Sequence, residues 1–127
     1  WILKVKSNID SGPLPPMQYA AVEALSAKKE WYDNMNRVYR SRRNLAGQIM
    51  RTLGCEYDEN QVGMFLWGRI PDSAESGEAI ANKVLYEANV FLTPGFIFGS
   101  RGERYIRISL CCKNETLEEA LRRIENL

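Results

Sequence analysis

The alternation of apolar and polar positions predicts one long helix and one clear strand. Apolar residues recur at helical spacing from about Lys28 to Leu53, and Gly54 is suited to cap the end of that helix. From Arg104 to Leu110 the side chains alternate between apolar and polar, as in a strand with two different faces. One face carries Ile106, Ile108 and Leu110, and the other carries Tyr105, Arg107 and Ser109. We therefore expect the first face to pack on a core.

Shorter elements complete the pattern. We predict helices from Pro16 to Ala27 and from Glu78 to Ala88, and a last helix that begins with a capping box at Thr116 to Glu119. Short strands are predicted at 1–5, 55–57, 63–70 and 90–92, with turns at 58–60 and 93–95. This order predicts an α+β fold with a small antiparallel or mixed sheet and helices packed on one of its faces.

The helix predicted from Pro16 to Ala27 is apolar around nearly its whole circumference. Only Gln18 and Glu23 are strongly polar, and a helix of this kind is normally buried on all sides. We interpret it as a contact surface for another domain or subunit. The alternative, a terminal helix folded into this domain's own core, stays open at this point.

Composition excludes several classes of function. The chain of 127 residues fits one domain, with 45% apolar and 26% charged side chains. Its net charge of +1 produces no electrostatic field that would attract nucleic acid or an anionic membrane. The apolar runs are too short to span a bilayer. The absence of histidine excludes, within this chain, any mechanism that needs an imidazole base or ligand. The start at Trp1, without a charged and apolar leader, indicates a segment of a longer protein.

Arg107 is the leading candidate for a binding residue. A charged side chain in the middle of an apolar strand needs a partner, and a guanidinium can bind a carboxylate through two parallel hydrogen bonds. The polar neighbours Tyr105 and Ser109 share its face, which could line a cleft. The alternative from periodicity alone is a cross-strand ion pair on a solvated face.

Four other features carry weaker signals. The glycines between Gly95 and Gly102 allow tight turns and match no phosphate-loop motif. The arginines between Arg37 and Arg43 fit either nucleic-acid binding or, by preference, a solvated helix face. Lys4 and Lys6 lack surroundings that would desolvate an amine for a Schiff base. The three cysteines form neither a disulfide framework nor a zinc motif, and we expect buried, unreactive thiols at Cys111 and Cys112.

Several stretches of the chain follow one another in a recognisable series. The segment from Lys4 to Leu25 comes first, and the strand-like stretch from Phe65 to Pro71 comes second. Val90 to Gly99 then supplies a Pro-Gly turn, followed by Gly102 and the strand that contains Arg107. The series resembles the C-terminal, small domain of class I/II aminotransferases, which are pyridoxal-phosphate-dependent enzymes of fold type I, similar to aspartate aminotransferase.

The resemblance implies both an organisation and a function. Residues 1–27 would form an inter-domain segment and linking helix, and residues 28–127 would form the small domain. The parent enzyme would be a cytoplasmic homodimer that moves an amino group between an amino acid and a 2-oxo acid. Arg107 would bind the substrate carboxylate. A free-standing α+β interaction or RNA-binding module is the alternative, based on the arginines between Arg37 and Arg43.

The resemblance also implies what this chain lacks. The family's Schiff-base lysine, the aspartate that pairs with the pyridine nitrogen, and most of the phosphate ligands belong to the large domain, upstream of Trp1. We therefore expect no catalytic residue, no pyridoxal phosphate site and no metal site in this chain. Taken alone, it is expected to be inactive.

Overall fold

A computed structural model describes residues 1–9 and 12–127, whose contacts group them into two units. One unit runs from Trp1 to Met35 and the other from Asn36 to Leu127. The helices are α1 (Ile2–Ile9), α2 (Pro15–Leu25), α3 (Lys29–Thr52), α4 (Gly77–Ala88) and α5 (Asn114–Ile124). The strands are β1 (Phe65–Arg69), β2 (Thr93–Pro94) and β3 (Tyr105–Ser109), and two short 3₁₀ helices lie between β2 and β3, at Gly95–Phe98 and Ser100–Gly102. The predicted division at residue 27 stays a prediction.

The sheet is antiparallel and three-stranded, in the order β1-β3-β2. The central strand, β3, pairs along its length with β1, whereas β2 covers only part of its other edge. Arg107 faces Trp67 on one neighbouring strand and Thr93 on the other. The predicted α+β class, with a small antiparallel sheet, is therefore confirmed.

The core lies on one face of this sheet. Along β3, Ile106 and Ile108 are buried, while the intervening residues are at least partly exposed. Helices α3, α4 and α5 cover the buried face, as the alternation predicted. Their buried contributions to the core are Ala46, Ile49, Met50, Val84, Ala88, Leu117 and Ile124.

The beginning of the chain was wrongly predicted to be a strand. Residues Ile2–Ile9 instead form helix α1, in which the amide of Val5 donates to the carbonyl of Trp1 at 3.0 Å. The side chains of Ser7 and Asn8 both donate to the carbonyl of Lys4. A short strand needs a partner for its backbone groups, whereas a helix satisfies them within itself. Weak apolar alternation over so few residues does not distinguish the two.

The predicted strand at 90–92 and turn at 93–95 are displaced in the structure. The strand is Thr93–Pro94, and residues 90–92 connect it to α4. Proline is acceptable in β2 because this short strand lies at the edge of the sheet. The turn occurs earlier, at Asn89, which caps α4 in a left-handed conformation with φ of 54°.

Two other local predictions need adjustment. The pairing expected between residues 55–57 and 63–70 is reduced to one antiparallel bridge, between Glu56 and Arg69. The capping box at Thr116 is wrong, because α5 begins at Asn114 and no side chain caps it. Glu119 instead accepts hydrogen bonds from Arg122 and Arg123, which lower its pKa to about 2.

Helix α2 exposes its apolar side chains. None of its residues is buried, and Met17 and Val22 are each 64% exposed. The interpretation of α2 as a helix folded into the domain's own core is therefore wrong. Among the helices of the described residues, none combines the length and hydropathy needed to cross a membrane.

The close approach of Gly95 to Gly102 yields a stability prediction. A Cβ atom on Gly95 would overlap the carbonyl oxygens of Gly102 and Tyr105. Because backbone atoms cannot move aside as side chains do, we expect Gly95→Ala to lower the free energy of unfolding by about 1–3 kcal/mol. Urea denaturation measures the change. The control is Ser100→Ala at an exposed position in the same segment, where a loss as large as that of Gly95→Ala would contradict the packing explanation.

The exposed apolar surface of α2 yields a second prediction. We expect the isolated chain to dimerise at high concentration, because large exposed apolar patches associate. Tyr19→Glu and Val22→Glu should each weaken that association without unfolding the chain. Sedimentation and circular dichroism test both effects, with Glu23→Gln as a control on the same helix. A wild-type chain that stays monomeric at millimolar concentration would contradict this account.

Candidate functional site

Arg107 lies at the middle of the central strand, on the face opposite the core. It is half-buried, like Tyr105, and Ser109 follows at an exposed position on the same face. Its two cross-strand neighbours, Trp67 and Thr93, carry no charge. The predicted strand and its two faces are confirmed, and the structure shows what surrounds the guanidinium.

Aromatic rings contact the Arg107 guanidinium. Its central carbon lies 4.2 Å from the ring centroid of Phe65 and 4.3 Å from that of Phe98. Trp67 stacks on Tyr105 with a centroid distance of 5.3 Å and meets Phe98 edge-on at 5.7 Å. Ring faces attract a cation through their negative quadrupole. These four rings thus form an aromatic cluster on the open side of the sheet, and two of them contact the Arg107 guanidinium.

Arg107 has no acidic partner within residues 1–9 and 12–127. No carboxylate in this part of the chain pairs with it, and its Nε is buried without a hydrogen-bond partner. The cross-strand ion pair left open by the sequence is therefore not formed among these residues. Since Nε is inaccessible, the donors that remain available to a ligand are the two terminal Nη nitrogens. These two nitrogens form the end-on fork that matches a carboxylate.

Three other partly buried arginines donate to backbone carbonyls, whereas a fourth, Arg69, pairs with Asp72 at 2.6 Å. Arg42 donates to Leu110 at 3.0 Å, and Arg43 donates to Gly63 at 2.9 Å. Arg104 donates to the carbonyls of Pro71, Ala74 and Glu75. The expected solvated face between Arg37 and Arg43 is therefore wrong for two of its arginines, which attach α3 to the segments flanking β1 and β3. These contacts also weaken the nucleic-acid interpretation.

The segment from Gly95 to Gly102 positions an aromatic ring and does not form an anion cradle. The amides of Gly99, Gly102 and Glu103 donate to carbonyls inside the segment, at 2.9–3.4 Å. These three amides are therefore not free to bind a phosphate. Its close backbone packing at Gly95 instead places Phe98 against Arg107 and Trp67.

The remaining reactive side chains lie away from this cluster. All lysines, including Lys4 and Lys6, are exposed. Burial raises the pKa of the Cys55 thiol to about 11, and Cys112 is half-buried. Cys111 is exposed, so the prediction of a buried thiol is wrong there. In the described part of the chain, no cluster of acidic, cysteine or histidine side chains could hold a metal ion.

A cavity of about 760 Å³ lies between α5, residues 89–93 and residues 107–109 of β3. Its wall includes Ile49, Ile108 and Leu117, which belong to the apolar core. Arg107 and Ser109 also line this cavity, but the two aromatic rings that contact the guanidinium do not. We therefore place the candidate site on the aromatic face of the sheet and not in this cavity.

The sequence analysis identified Arg107 and missed the rings around it. Phe65 and Trp67 could have been found, because they alternate with the buried Leu66 and share the open face of β1. Phe98 carries no such signal. Its position depends on the path of the chain between β2 and β3, which the sequence pattern does not define.

Comparisons with known proteins identify the family. The family model described as aminotransferase class I and II matches residues 3–124. LL-diaminopimelate aminotransferase of Halothermothrix orenii is 36% identical over 123 residues, and that of Moorella thermoacetica is 33% identical over 126 residues. These alignments cover 97% and 99% of this chain but only 31% and 32% of the two relatives. The chain thus spans about a third of the length of the curated relatives that it matches.

Solved structures of aminotransferases have the same fold. A probable N-succinyldiaminopimelate aminotransferase from Thermus thermophilus superposes with a TM-score of 0.80 and 31% identity. An aromatic aminotransferase from Pyrococcus horikoshii superposes with a TM-score of 0.78 and 31% identity. Each match covers 97% of this chain and 33% of the solved chain. On the family match and the shared fold together, this chain belongs to the class I and II aminotransferases.

Proposed function

We propose that this chain is the small, substrate-gripping domain of a pyridoxal-phosphate-dependent aminotransferase, and that Arg107 binds the α-carboxylate of the amino-acid substrate. The observation that supports the proposal most directly is a mid-strand guanidinium with aromatic neighbours and no acidic partner in the described residues. An arginine that served only to stabilise the fold would be paired, as Arg104 is with three carbonyls. Arg107 instead keeps both terminal nitrogens for a ligand.

The geometry explains how the chain would act on a substrate. Two parallel hydrogen bonds from the Nη nitrogens fix both the position and the plane of a carboxylate. The surrounding rings displace water and lower the local dielectric, which strengthens the charge–charge attraction. This chain would orient the substrate, and proton transfer would occur on groups outside it. The names of the relatives specify different substrates. The proposal is therefore limited to the α-carboxylate, which all amino acids share.

The cofactor implied by the family does not fit the residues of this chain. Pyridoxal phosphate needs a lysine in a protected site, and every lysine here is exposed and absent from the cluster around Arg107. In the Gly95–Gly102 segment, the amides of Gly99 and Gly102 already donate to carbonyls of the segment itself. We therefore propose that the Schiff-base lysine and phosphate ligands belong to residues outside this chain.

The proposal extends to partners. Helix α2 presents exposed apolar side chains, including Tyr19 at 76%, and these would contact the large domain or a second subunit. A cytoplasmic homodimer is proposed on the resemblance alone. The family match and the structural neighbours support the aminotransferase hypothesis and not the interaction or RNA-binding module.

Removing the Arg107 side chain tests the proposed contact. Truncating one partner of a desolvated charged pair costs about 2–5 kcal/mol, so Arg107→Ala should lower kcat/KM in the full-length protein about 30- to 5,000-fold. Arg107→Lys should recover only part of this, because an ammonium cannot form the two-pronged contact. The matched control is Arg101→Ala, at an exposed arginine in the preceding segment, and it should stay near wild type.

A substrate without a carboxylate distinguishes a loss of carboxylate binding from a loss of folding. An amine that lacks the carboxylate should be processed by Arg107→Ala about as well as by wild type. If Arg107→Ala left amino-acid kinetics unchanged and only lowered the melting temperature, a structural role would be correct and the assignment wrong.

Reductive labelling tests whether the chain lacks a cofactor site. We expect pyridoxal phosphate and borohydride to label the exposed lysines of the isolated chain sparsely and without preference. Peptide mass spectrometry locates the adducts, and a folded protein with a known internal aldimine is the positive control. One stoichiometric adduct on a single lysine would contradict the proposal.

A further inference from the structure

The two rings that contact Arg107 come from different parts of the sheet. Phe65 belongs to β1, which pairs with one edge of β3, and Phe98 lies in the segment that follows β2 on the other edge. Their centroids lie at nearly equal distances from the guanidinium carbon, 4.2 and 4.3 Å. The side chain of Arg107 therefore cannot rotate far without losing one of these contacts.

Aromatic partners restrain an arginine in a way that acidic partners do not. The N–H bonds of a guanidinium lie in its plane, whereas rings are attracted to the cation through their faces. A carboxylate from the protein would fix the side chain by occupying its hydrogen-bond donors. Rings at this distance fix it and leave the donors free.

Phe98 is itself held in place. Its ring meets the edge of Trp67 at 5.7 Å, and Trp67 stacks on Tyr105 at 5.3 Å. The backbone behind it is constrained by the close packing of Gly95 on Gly102. The ring is therefore anchored from the sheet side as well as from its own segment, as a positioning residue must be.

We infer that Phe65 and Phe98 are positioning residues that hold the guanidinium of Arg107 in one plane and so preorganise its two Nη donors for an incoming carboxylate. This inference rests on the proposed function, because it assigns a role to the same site. It predicts that an apolar side chain of similar volume but without a ring face cannot replace either phenylalanine in orienting Arg107. Preorganisation lowers the ordering cost that ligand binding would otherwise include.

Substitution by leucine isolates the ring face. Phe65 and Phe98 are 39% and 52% exposed, so leucine keeps apolar volume without opening the core. In the full-length protein we expect Phe98→Leu and Phe65→Leu each to raise KM for the amino acid about 3- to 30-fold, with kcat nearly unchanged. Phe98→Tyr keeps a ring face and should remain close to wild type.

The control is another phenylalanine of the same 3₁₀ helix. Phe96 is 43% exposed and makes no ring contact with Arg107 in the described residues, so Phe96→Leu should leave KM unchanged. If Phe65 or Phe98 only stabilised the fold, its substitution would lower the activity on every substrate. We therefore expect an amine without a carboxylate to show no difference between the Leu variants and wild type.

The set of variants separates the two proposals. If Phe98→Leu and Phe65→Leu matched Phe96→Leu while Arg107→Ala lost activity, the positioning inference would be wrong and the proposed function would stand. If Arg107→Ala also kept wild-type kinetics, the proposed function itself would fail. Equal losses on the amino acid and on the amine would assign the rings to folding, which also overturns the inference. Melting temperatures identify any variant that fails to fold, and the remaining phenylalanine variant then decides.

Discussion

The two-residue period of β3 is the constraint on which both the core and the candidate site depend. Successive side chains of a strand point to opposite faces, so the five residues of β3 serve two surfaces at once. Ile106 and Ile108 pack beneath the helices, and Arg107 between them is directed to the other face. A slip of one residue in the pairing with β1 would exchange the two faces. Burial of the isoleucines therefore fixes the direction of the guanidinium.

The chain uses its arginines for different physical purposes. Arg42, Arg43 and Arg104 donate to backbone carbonyls and so connect elements that are distant in sequence. Arg122 belongs to a surface pair with Glu119, which contributes little to stability because water screens it. Arg107 instead lies close to two ring faces, and its terminal donors have no hydrogen-bond partner among the described residues. Arg42 also lies over a ring, that of Tyr39 at 5.6 Å, but it donates to a carbonyl as well. The type of partner, more than burial, distinguishes the arginine that we propose to bind the substrate.

Side-chain periodicity predicted the parts of the fold that are long and two-faced. The helix α3 and the strand β3 were found nearly to their ends, and the face of Arg107 was correct, because many residues contribute to each pattern. Short elements were less predictable. The helix at Ile2–Ile9 and the strand at Thr93–Pro94 depend on which partners the rest of the chain supplies.

The sequence likewise predicted one part of the candidate site and not the other. Arg107 could be selected from the sequence because a lone charge in an apolar strand stands out. The contact with Phe98 brings together residues from a strand and from an irregular segment, and no local pattern encodes it. The apolar residues of α2 are exposed, although a helix of that composition is normally buried. This difference indicates that another surface covers the helix.

A structure of the full-length protein with a bound amino acid would test the central claim most directly. The account predicts that both Nη nitrogens of Arg107 lie about 2.7–2.9 Å from the two oxygens of the α-carboxylate. Phe65 and Phe98 should keep their contacts with the guanidinium in that structure. A carboxylate bound by another cation, with Arg107 paired to an acidic side chain of the protein, would contradict the account.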